Sequence, residues 1–404
     1  MSLLESLRDP AVWELFYSYK EARGCQPYFL KDLRSFIDRR KYLPVCDVID
    51  AGTRFPLPRQ KEIPKSNGKL RTVYTYPHDE NTVMKLLTWL MTRRYDPLLP
   101  EGVYSFRPGV TAKDAVRALA RTPGIGEKYA YKADVSDYFN SVPVERLVPL
   151  VRQALADDPA LSDFLTRLLE EPEVLRGGTP LRVPKGMMAG TPMAAFYANL
   201  YLSALDRRFT QADAIYARYS DDIILFADTP EKLETGVGEI RAALAENGLR
   251  LNPDKETFYT PETGFTFLGF SCRDGELDVA AASVDKLKKK MRRKTRALLR
   301  WAHRKNLPGE KAAKGFVNAF NRKMYGGGAD NELTWALWYF PVITTDKSLK
   351  ALDAYAEECV RYLWSGTRTK ARFNVRYEQI KALGFRSLVH EYYAFREQRE
   401  THTE

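Results

Sequence analysis

Apolar residues recur at helical spacing through the first fifty positions. Leu3, Leu4 and Leu7 come first, then Trp13, Leu15, Phe16 and Tyr19, then Phe29, Leu30, Leu33, Phe36 and Ile37. Asp9-Pro10 is a helix-start signal, so a small helical extension packed on the main body is expected. From residue 55 the pattern changes. Phe55-Pro56-Leu57-Pro58 precedes two extended runs separated by Asn67-Gly68, a strong hairpin turn. Residues 79–95 return to a helical period, with Val83, Leu86, Leu87, Leu90 and Met91 on one face, and a second helix is predicted near 111–121. Tyr129–Asp134 reads as a strand, followed by a helix near Val144–Ala154. Residues 145–180 read as helices with a Gly177-Gly178 turn. Met193–Leu205 is an almost wholly apolar helix with Asn199 embedded in it. Tyr216–Phe226 reads as strand, tight turn, strand. Pro230–Asn247 is an amphipathic helix closed by Gly248, and Gly264–Phe270 an apolar hairpin. Beyond 276 the chain reads mainly as helix. There Ser283 is a candidate N-cap, and Val284, Leu287, Met291, Leu298 and Trp301 form a narrow apolar stripe.

Composition narrows the class. The 404 residues are enough for two or three domains or one multi-lobed enzyme, and 44% hydrophobic with 28% charged residues is ordinary for a soluble globular protein. The net charge of +11 is concentrated in one place. Residues 286–305 carry eleven Lys/Arg and no Asp or Glu, and outside them basic and acidic residues balance. A charge run is usually a solvated face, but such faces mix signs. This one points to a nucleic-acid backbone. The four cysteines (Cys25, Cys46, Cys272, Cys359) and four histidines are dispersed, which argues against a zinc site or a disulfide framework. No apolar run approaches a membrane span and no leader pattern opens the chain, so the expected location is the cytoplasm, with no membrane partner.

The candidate chemistry lies at the turn Tyr219-Ser220-Asp221-Asp222. Adjacent carboxylates are unfavourable unless a cation is shared between them, and a hard, oxygen-seeking ion such as Mg²⁺ suits that task. Taken in isolation, an Asp-Asp pair is more often an exposed hairpin turn. Asp134, at a strand end ahead of Val135 and its carbonyl, is half of a similar site. Lys65, Lys69 and Arg71 make the residue 63–74 hairpin a basic ribbon suited to a triphosphate. Gly186 and Gly190 ahead of a helix allow close approach of backbone to a ligand. Asn199 could bond a substrate or satisfy a buried backbone group, and Arg107 could touch a phosphate or serve packing.

In this order, the basic hairpin, Tyr104–Gly109, Asp134–Phe139, Gly190–Asn199, Tyr219–Asp222, Leu251–Lys255 and Phe267–Phe270 resemble the reverse transcriptases of bacterial retroelements. The motifs span residues 55–275, and the helical remainder fits a thumb. The resemblance implies an α+β right-hand polymerase fold with fingers, an antiparallel-sheet palm and a helical thumb. Its divisions would be a helical extension at 1–52, fingers at 53–127, a palm at 128–275 with a helical fingers-side insertion near 145–185, and a thumb and C-terminal region at 276–404.

The resemblance also implies roles. Asp134, Asp221 and Asp222 would hold two Mg²⁺ (or Mn²⁺) ions with the Val135 carbonyl, Asp222 being the less direct ligand. Lys255 would assist the leaving pyrophosphate. Lys65, Arg71, Val135, Phe139, Gly190 and Asn199 would contact the dNTP, with Phe139 as a gate against the ribose 2′-hydroxyl. Phe267, Leu268 and Gly269 would grip the primer, and Lys289, Arg293, Arg296 and Arg300 the nucleic-acid backbone. Ala189-Gly190 replaces the family's usual Gln-Gly, Ala194-Ala195 its Ser-Pro, and Ser220 its common Ala.

No endonuclease or zinc-ribbon motif follows the thumb. Gly384–Val389 looks like the stand-alone, "unknown group" or defence-associated enzymes related to those of group II introns and retrons. The implied activity is RNA-directed DNA synthesis from a structured non-coding RNA, in anti-phage defence. The partners would be an RNA template, a DNA or RNA primer and dNTPs, with a homo-oligomer or a partner protein left open. The alternatives are untemplated or protein-primed DNA synthesis by the same site, and a non-catalytic RNA-binding scaffold. Neutralising four Lys/Arg of 286–305 is expected to weaken RNA binding and flatten its dependence on salt. An unchanged slope of log affinity against log salt would remove this helix from the interface.

Overall fold

The computed structural model describes residues 2–64, 68, 70–212, 214–326 and 334–401. They form two units, Met1–Pro261 and Glu262–Glu404.

The N-terminal unit opens with α1 (Leu3–Ser6), α2 (Pro10–Ala22), α3 (Pro27–Asp38) and α4 (Tyr42–Asp50). Asp9 caps α2 by accepting from the Ala11 N–H, with Pro10 at the first helical position. These helices pack on the main body. Trp13, Phe16, Phe36 and Tyr42 lie in the same buried core as Val83, Leu87, Tyr131 and Tyr197. The Trp13 ring stacks on Tyr42 at 4.9 Å, and its indole N–H donates to the Leu7 carbonyl at 2.8 Å.

Next come β1 (Arg59–Pro64) and β2 (Leu70–Thr75), antiparallel from Arg59↔Thr75 to Pro64↔Leu70. Helices α5 (His78–Arg94) and α6 (Ala112–Arg121) follow, then β3 (Tyr129–Asp134), α7 (Tyr138–Ser141), α8 (Val144–Ala154) and α9 (Pro159–Glu170). The expected helical insertion at 145–185 ends at Glu170. Residues beyond it form a hairpin, β4 (Glu173–Arg176) and β5 (Thr179–Arg182), that extends the first sheet in the order β2-β1-β4-β5. Gly177 and Gly178 take φ of +60° and +92°, the two left-handed residues that a two-residue hairpin turn requires. The Gly177-Gly178 turn therefore joins two strands and not two helices.

The unit continues with α10 (Ala194–Tyr201), α11 (Ser203–Gln211), β6 (Tyr216–Tyr219), β7 (Asp222–Ala227), α12 (Pro230–Glu246) and β8 (Thr257–Tyr259). Strands β6, β7, β3 and β8 lie in that order in one antiparallel sheet.

The C-terminal unit starts with a meander of β9 (Phe265–Phe267), β10 (Phe270–Arg273) and β11 (Glu276–Val279). Residues 262–275 group with the helices that follow them. Those are α13 (Ala281–Arg304), α14 (Gly309–Tyr325), α15 (Trp335–Tyr339), α16 (Lys347–Ser365), α17 (Tyr377–Ala382) and α18 (Leu388–Glu400). Thr344 ties the meander to them, its hydroxyl accepting from Leu277 N–H at 2.8 Å. The buried Asp353 of α16 accepts from Ser387 Oγ and from the Leu388 and Val389 amides, fixing the start of α18.

Helix α13 begins at Ala281 and has no side-chain cap, so Ser283 is not its N-cap. The Ser283 and Tyr339 hydroxyls both lie beside Gly269. Val284, Leu287 and Met291 are buried as the stripe predicted, while Trp301 remains 36% exposed and Ala302 takes the inner position.

Trp13→Ala is expected to cost about 3–5 kcal/mol of unfolding free energy, with Trp13→Phe milder. Denaturant titration checks this. A loss below about 1 kcal/mol would show that the first helices are peripheral after all.

Candidate active site

The second sheet places the acidic residues. Strands β3 and β7 run antiparallel with Asp134 opposite Asp222, and β6 pairs with β7 so that Tyr219 faces Asp222 across the two-residue turn Ser220-Asp221. The sequence folds this way because β3 and β7 are apolar and buried on both faces (Ala130 and Ala133 on β3, Ile223 and Ile224 on β7), leaving the carboxylates at the strand ends.

The backbone is fixed from several sides. Val135 N–H donates to the Asp221 carbonyl at 3.0 Å, Asn252 N–H to the Asp134 carbonyl at 2.8 Å, and Ser136 N–H to the Arg250 carbonyl at 2.8 Å.

Electrostatics mark the spot as one that wants a cation. Burial, reinforced by the charge of Asp134, raises the pKa of Asp221. Burial and then the charges of Asp221 and Asp134 push Asp222 up to about 6. Lys255 answers them, its Nζ 2.6 Å from Asp134 Oδ2. Burial works against the Lys255 charge, but the bond to Asp134 and the three carboxylates outweigh it and raise its pKa.

Beneath the turn lies a group that the sequence reading passed over. Ser220 takes a φ of +61°, a left-handed conformation that costs a non-glycine residue on the order of 1 kcal/mol or more. Its carbonyl accepts from Arg218 Nη1 at 3.0 Å. Arg218 is wholly buried and paired with an equally buried Asp206 on α11, Nη2 to Oδ2 at 2.6 Å. The same guanidinium donates to the Asn199 carbonyl at 3.2 Å, and Tyr216 Oη donates to Asp206 at 2.8 Å. Burial alone would lower the Arg218 pKa, but the Asp206 charge and hydrogen bonds raise it. The available signal was one Arg inside the β-prone run Tyr216–Tyr219 and one Asp in a helix, beside Arg207 and Arg208.

An aromatic wall stands beside the turn. Phe139 on α7 is half-buried, and the Phe106 ring lies 6.4 Å from it and 6.5 Å from Tyr219. Phe106 has a φ of +56° and remains 41% exposed. It is a second residue missed in the sequence, where Arg107 drew the attention. Arg107 is structural: it forks onto Asp96 at 2.8 and 2.9 Å and donates to the Pro100 and Val103 carbonyls.

The 184–192 loop packs against α7 and β2. A Cβ on Gly186 would sit 2.5 Å from the Phe139 carbonyl, and one on Gly190 3.2 Å from Val73 Cβ. The buried Lys185 anchors the loop by donating to the Leu168 carbonyl at 2.9 Å, with burial pushing its pKa down to about 8.

The sequence-predicted residues thus fall into groups. Asp134, Val135, Asp221, Asp222 and Lys255 come together. Phe139 stands on the same wall as Tyr219, and Gly190 lies against β2, the strand carrying the exposed Arg71. Lys65 lies outside the described residues.

Asn199 is a correction. It is 2% exposed, its amide donates to the Ser105 carbonyl at 2.6 Å, and its oxygen accepts from Ser105 Oγ at 2.9 Å, so its polar atoms are spent inside the protein. In the C-terminal unit Phe267 is 1% exposed, and its ring is core rather than nucleic-acid surface. The Leu268-Gly269 turn, with φ of +50° and +87°, is half-buried. Lys289, Arg293, Arg296 and Arg300 are exposed on α13.

Among the described residues, no three His, Cys, Asp or Glu side chains form a closed metal cage. The donor set still fits Mg²⁺, which keeps waters and is commonly held by one or two carboxylates plus substrate phosphates.

The profile of the family "Reverse transcriptase (RNA-dependent DNA polymerase)" matches residues 63–272. Protein YkfC of Escherichia coli (strain K12) is 25% identical over 265 residues, covering 55% of this chain and 68% of that protein. Among solved structures, apo telomerase from Candida tropicalis aligns with a TM-score of 0.47 at 13% identity, covering 80% of this chain and 59% of that one. Telomerase from Candida albicans in complex with a telomeric RNA fragment aligns with a TM-score of 0.43 at 12% identity, covering 82% and 62%. This chain therefore spans about three fifths of the length of those telomerase chains.

Arg218→Met strands the Asp206 charge and is expected to cost about 3–5 kcal/mol. Adding Asp206→Leu should return only the part of that loss that comes from the stranded charge, while amide exchange at Ser220–Asp222 stays faster than in the wild type because the turn carbonyl has lost its donor. Wild-type exchange in the double variant would mean the guanidinium does not hold the turn.

Proposed function

This chain belongs to the reverse transcriptase (RNA-dependent DNA polymerase) family, and we propose that it copies an associated structured RNA into DNA at Asp134, Asp221 and Asp222, in anti-phage defence. The observation that carries the reading is the register that sets Asp134 against Asp222, with Asp221 at the adjoining turn and Lys255 on Asp134.

Phosphoryl transfer asks a protein for positioning and charge neutralisation, not for a nucleophile. Two Mg²⁺ or Mn²⁺ ions, when bound by these carboxylates and the Val135 carbonyl, would activate the primer hydroxyl and neutralise the triphosphate. The chain's own residues do the remainder. Lys255 compensates Asp134 in the free protein and is close enough to the carboxylates to meet the leaving phosphates. Arg71 on the exposed face of β2 supplies a fork for the triphosphate. Phe139, braced by Phe106 and Tyr138, would serve as the gate against a ribose 2′-hydroxyl. The defence role is supported by the likeness of Gly384–Val389 to defence-associated enzymes.

The test is synthesis of labelled DNA by protein purified with its co-expressed RNA, given dNTPs and Mg²⁺. Product complementary to that RNA is expected, with Asp134→Asn and Asp221→Asn lowering the rate on the order of 10²–10³-fold or more. Homopolymer or random product would replace templated by untemplated synthesis. Product unchanged in both variants would leave an RNA-binding scaffold.

A further inference from the structure

A cavity of about 510 Å³ opens between α13, α16 and the short helical turn Lys370–Asn374, all within the C-terminal unit. Three guanidinium groups on its wall, Arg292, Arg296 and Arg368, form no ion pair with a carboxylate among the described residues. Arg292 has only the Tyr355 hydroxyl, at 3.3 Å, and Arg368 lies over the Tyr362 ring at 4.7 Å. The single carboxylate of the lining, Glu358, is already held by Arg372 at 2.6 Å and Arg361 at 3.6 Å. Thr295 and Cys359 are buried behind it. Lys288 adds a further cation 5.7 Å from the Tyr355 ring.

Like charges crowded at a concave wall repel one another unless an anion is shared. Guanidinium forks match phosphate oxygens, and tyrosine faces take a base without regard to its identity. The volume lies within the roughly 300–1,000 Å³ of small-ligand sites. We propose that this cavity binds one unpaired nucleotide of a nucleic-acid strand, its flanking phosphates on Arg292, Arg296 and Arg368 and its base on Tyr362. The polymerase residues described above are not needed for this. The cavity is an anchor for a strand, built from charges that the basic face of α13 alone does not explain.

Calorimetric titration of the full-length protein with adenosine 3′,5′-bisphosphate, with EDTA present, tests it. One saturable site is expected, retained in Asp221→Asn, so a failure of the polymerase reading and a failure of this one are separable. Arg296→Glu and Arg368→Glu, both at exposed positions, should each weaken binding about tenfold or more, and Tyr362→Ala about tenfold. Tyr362→Phe, which keeps the ring, should bind as the wild type does. Tighter binding of either the ribose or the 2′-deoxyribose form supports the site and names the strand. Binding indifferent to both arginine changes, or matched by inorganic phosphate or by a glutamate-rich peptide at equal concentration, overturns the proposal.

Discussion

Asp134 and Asp222 stand opposite each other across two paired strands, and Asp221 is adjacent, so the sheet that builds this site also builds its electrostatic problem. Two of the three have raised pKa values through burial and through one another's charge. In the free protein Lys255 offsets part of that repulsion by sitting on Asp134. The price of the arrangement is that the backbone cannot relax. A turn free to open would move Asp221 away from Asp134, and the crowding that favours a bound cation would be lost. Holding the turn closed is therefore the requirement that the neighbouring elements serve.

They do so from below. Arg218 reaches the Ser220 and Asn199 carbonyls while paired to Asp206, so one guanidinium links the turn, α10 and α11. Apolar side chains of similar volume could pack there as well or better, since burying an ion pair carries a large desolvation cost. They would leave two buried carbonyls without donors, each at a cost of about 1–3 kcal/mol. The ion pair is thus better understood as a device for direction than for net stability. It specifies where the turn points, against a left-handed Ser220 that would otherwise favour relaxing. Asn199 belongs to the same device. Its backbone serves Arg218 and its side chain serves Ser105, which is why a polar residue stands in an apolar helix without facing a ligand.

Much of this was legible in the sequence, and what was not legible had physical reasons. Local periodicity placed β3, α8 and α12 within a residue or so, because one buried face decides each of them. The acidic turn was legible because Asp-Asp between β-prone runs has few other readings. The β4–β5 hairpin was missed although Gly177-Gly178 announced it, since its exposed β5 carries no alternation and its stability comes from pairing with β1. Asn199 and Phe267 were assigned outward roles because a motif gives a position along the chain and not the direction of a side chain. Arg218 and Asp206 were passed over because their meaning is joint. Neither is informative until the fold brings a strand and a helix together.

The C-terminal unit sharpens a different kind of sequence signal. A run of eleven basic residues without an acid fixed that a polyanion was expected, but not how it would be held. On α13 the residues of the run differ in what lies beside them. Lys289, Arg293 and Arg300 project to solvent, where they can meet phosphates only as a diffuse, salt-screened charge. Arg292 and Arg296 instead turn toward α16 and meet Arg368 and two tyrosines around a cavity. The same composition thus does two jobs, and the difference lies in geometry. Charges on a convex face are free to spread apart. Charges converging on a concave one are not, and their mutual repulsion is relieved best by a ligand that brings both negative charge and a flat apolar surface.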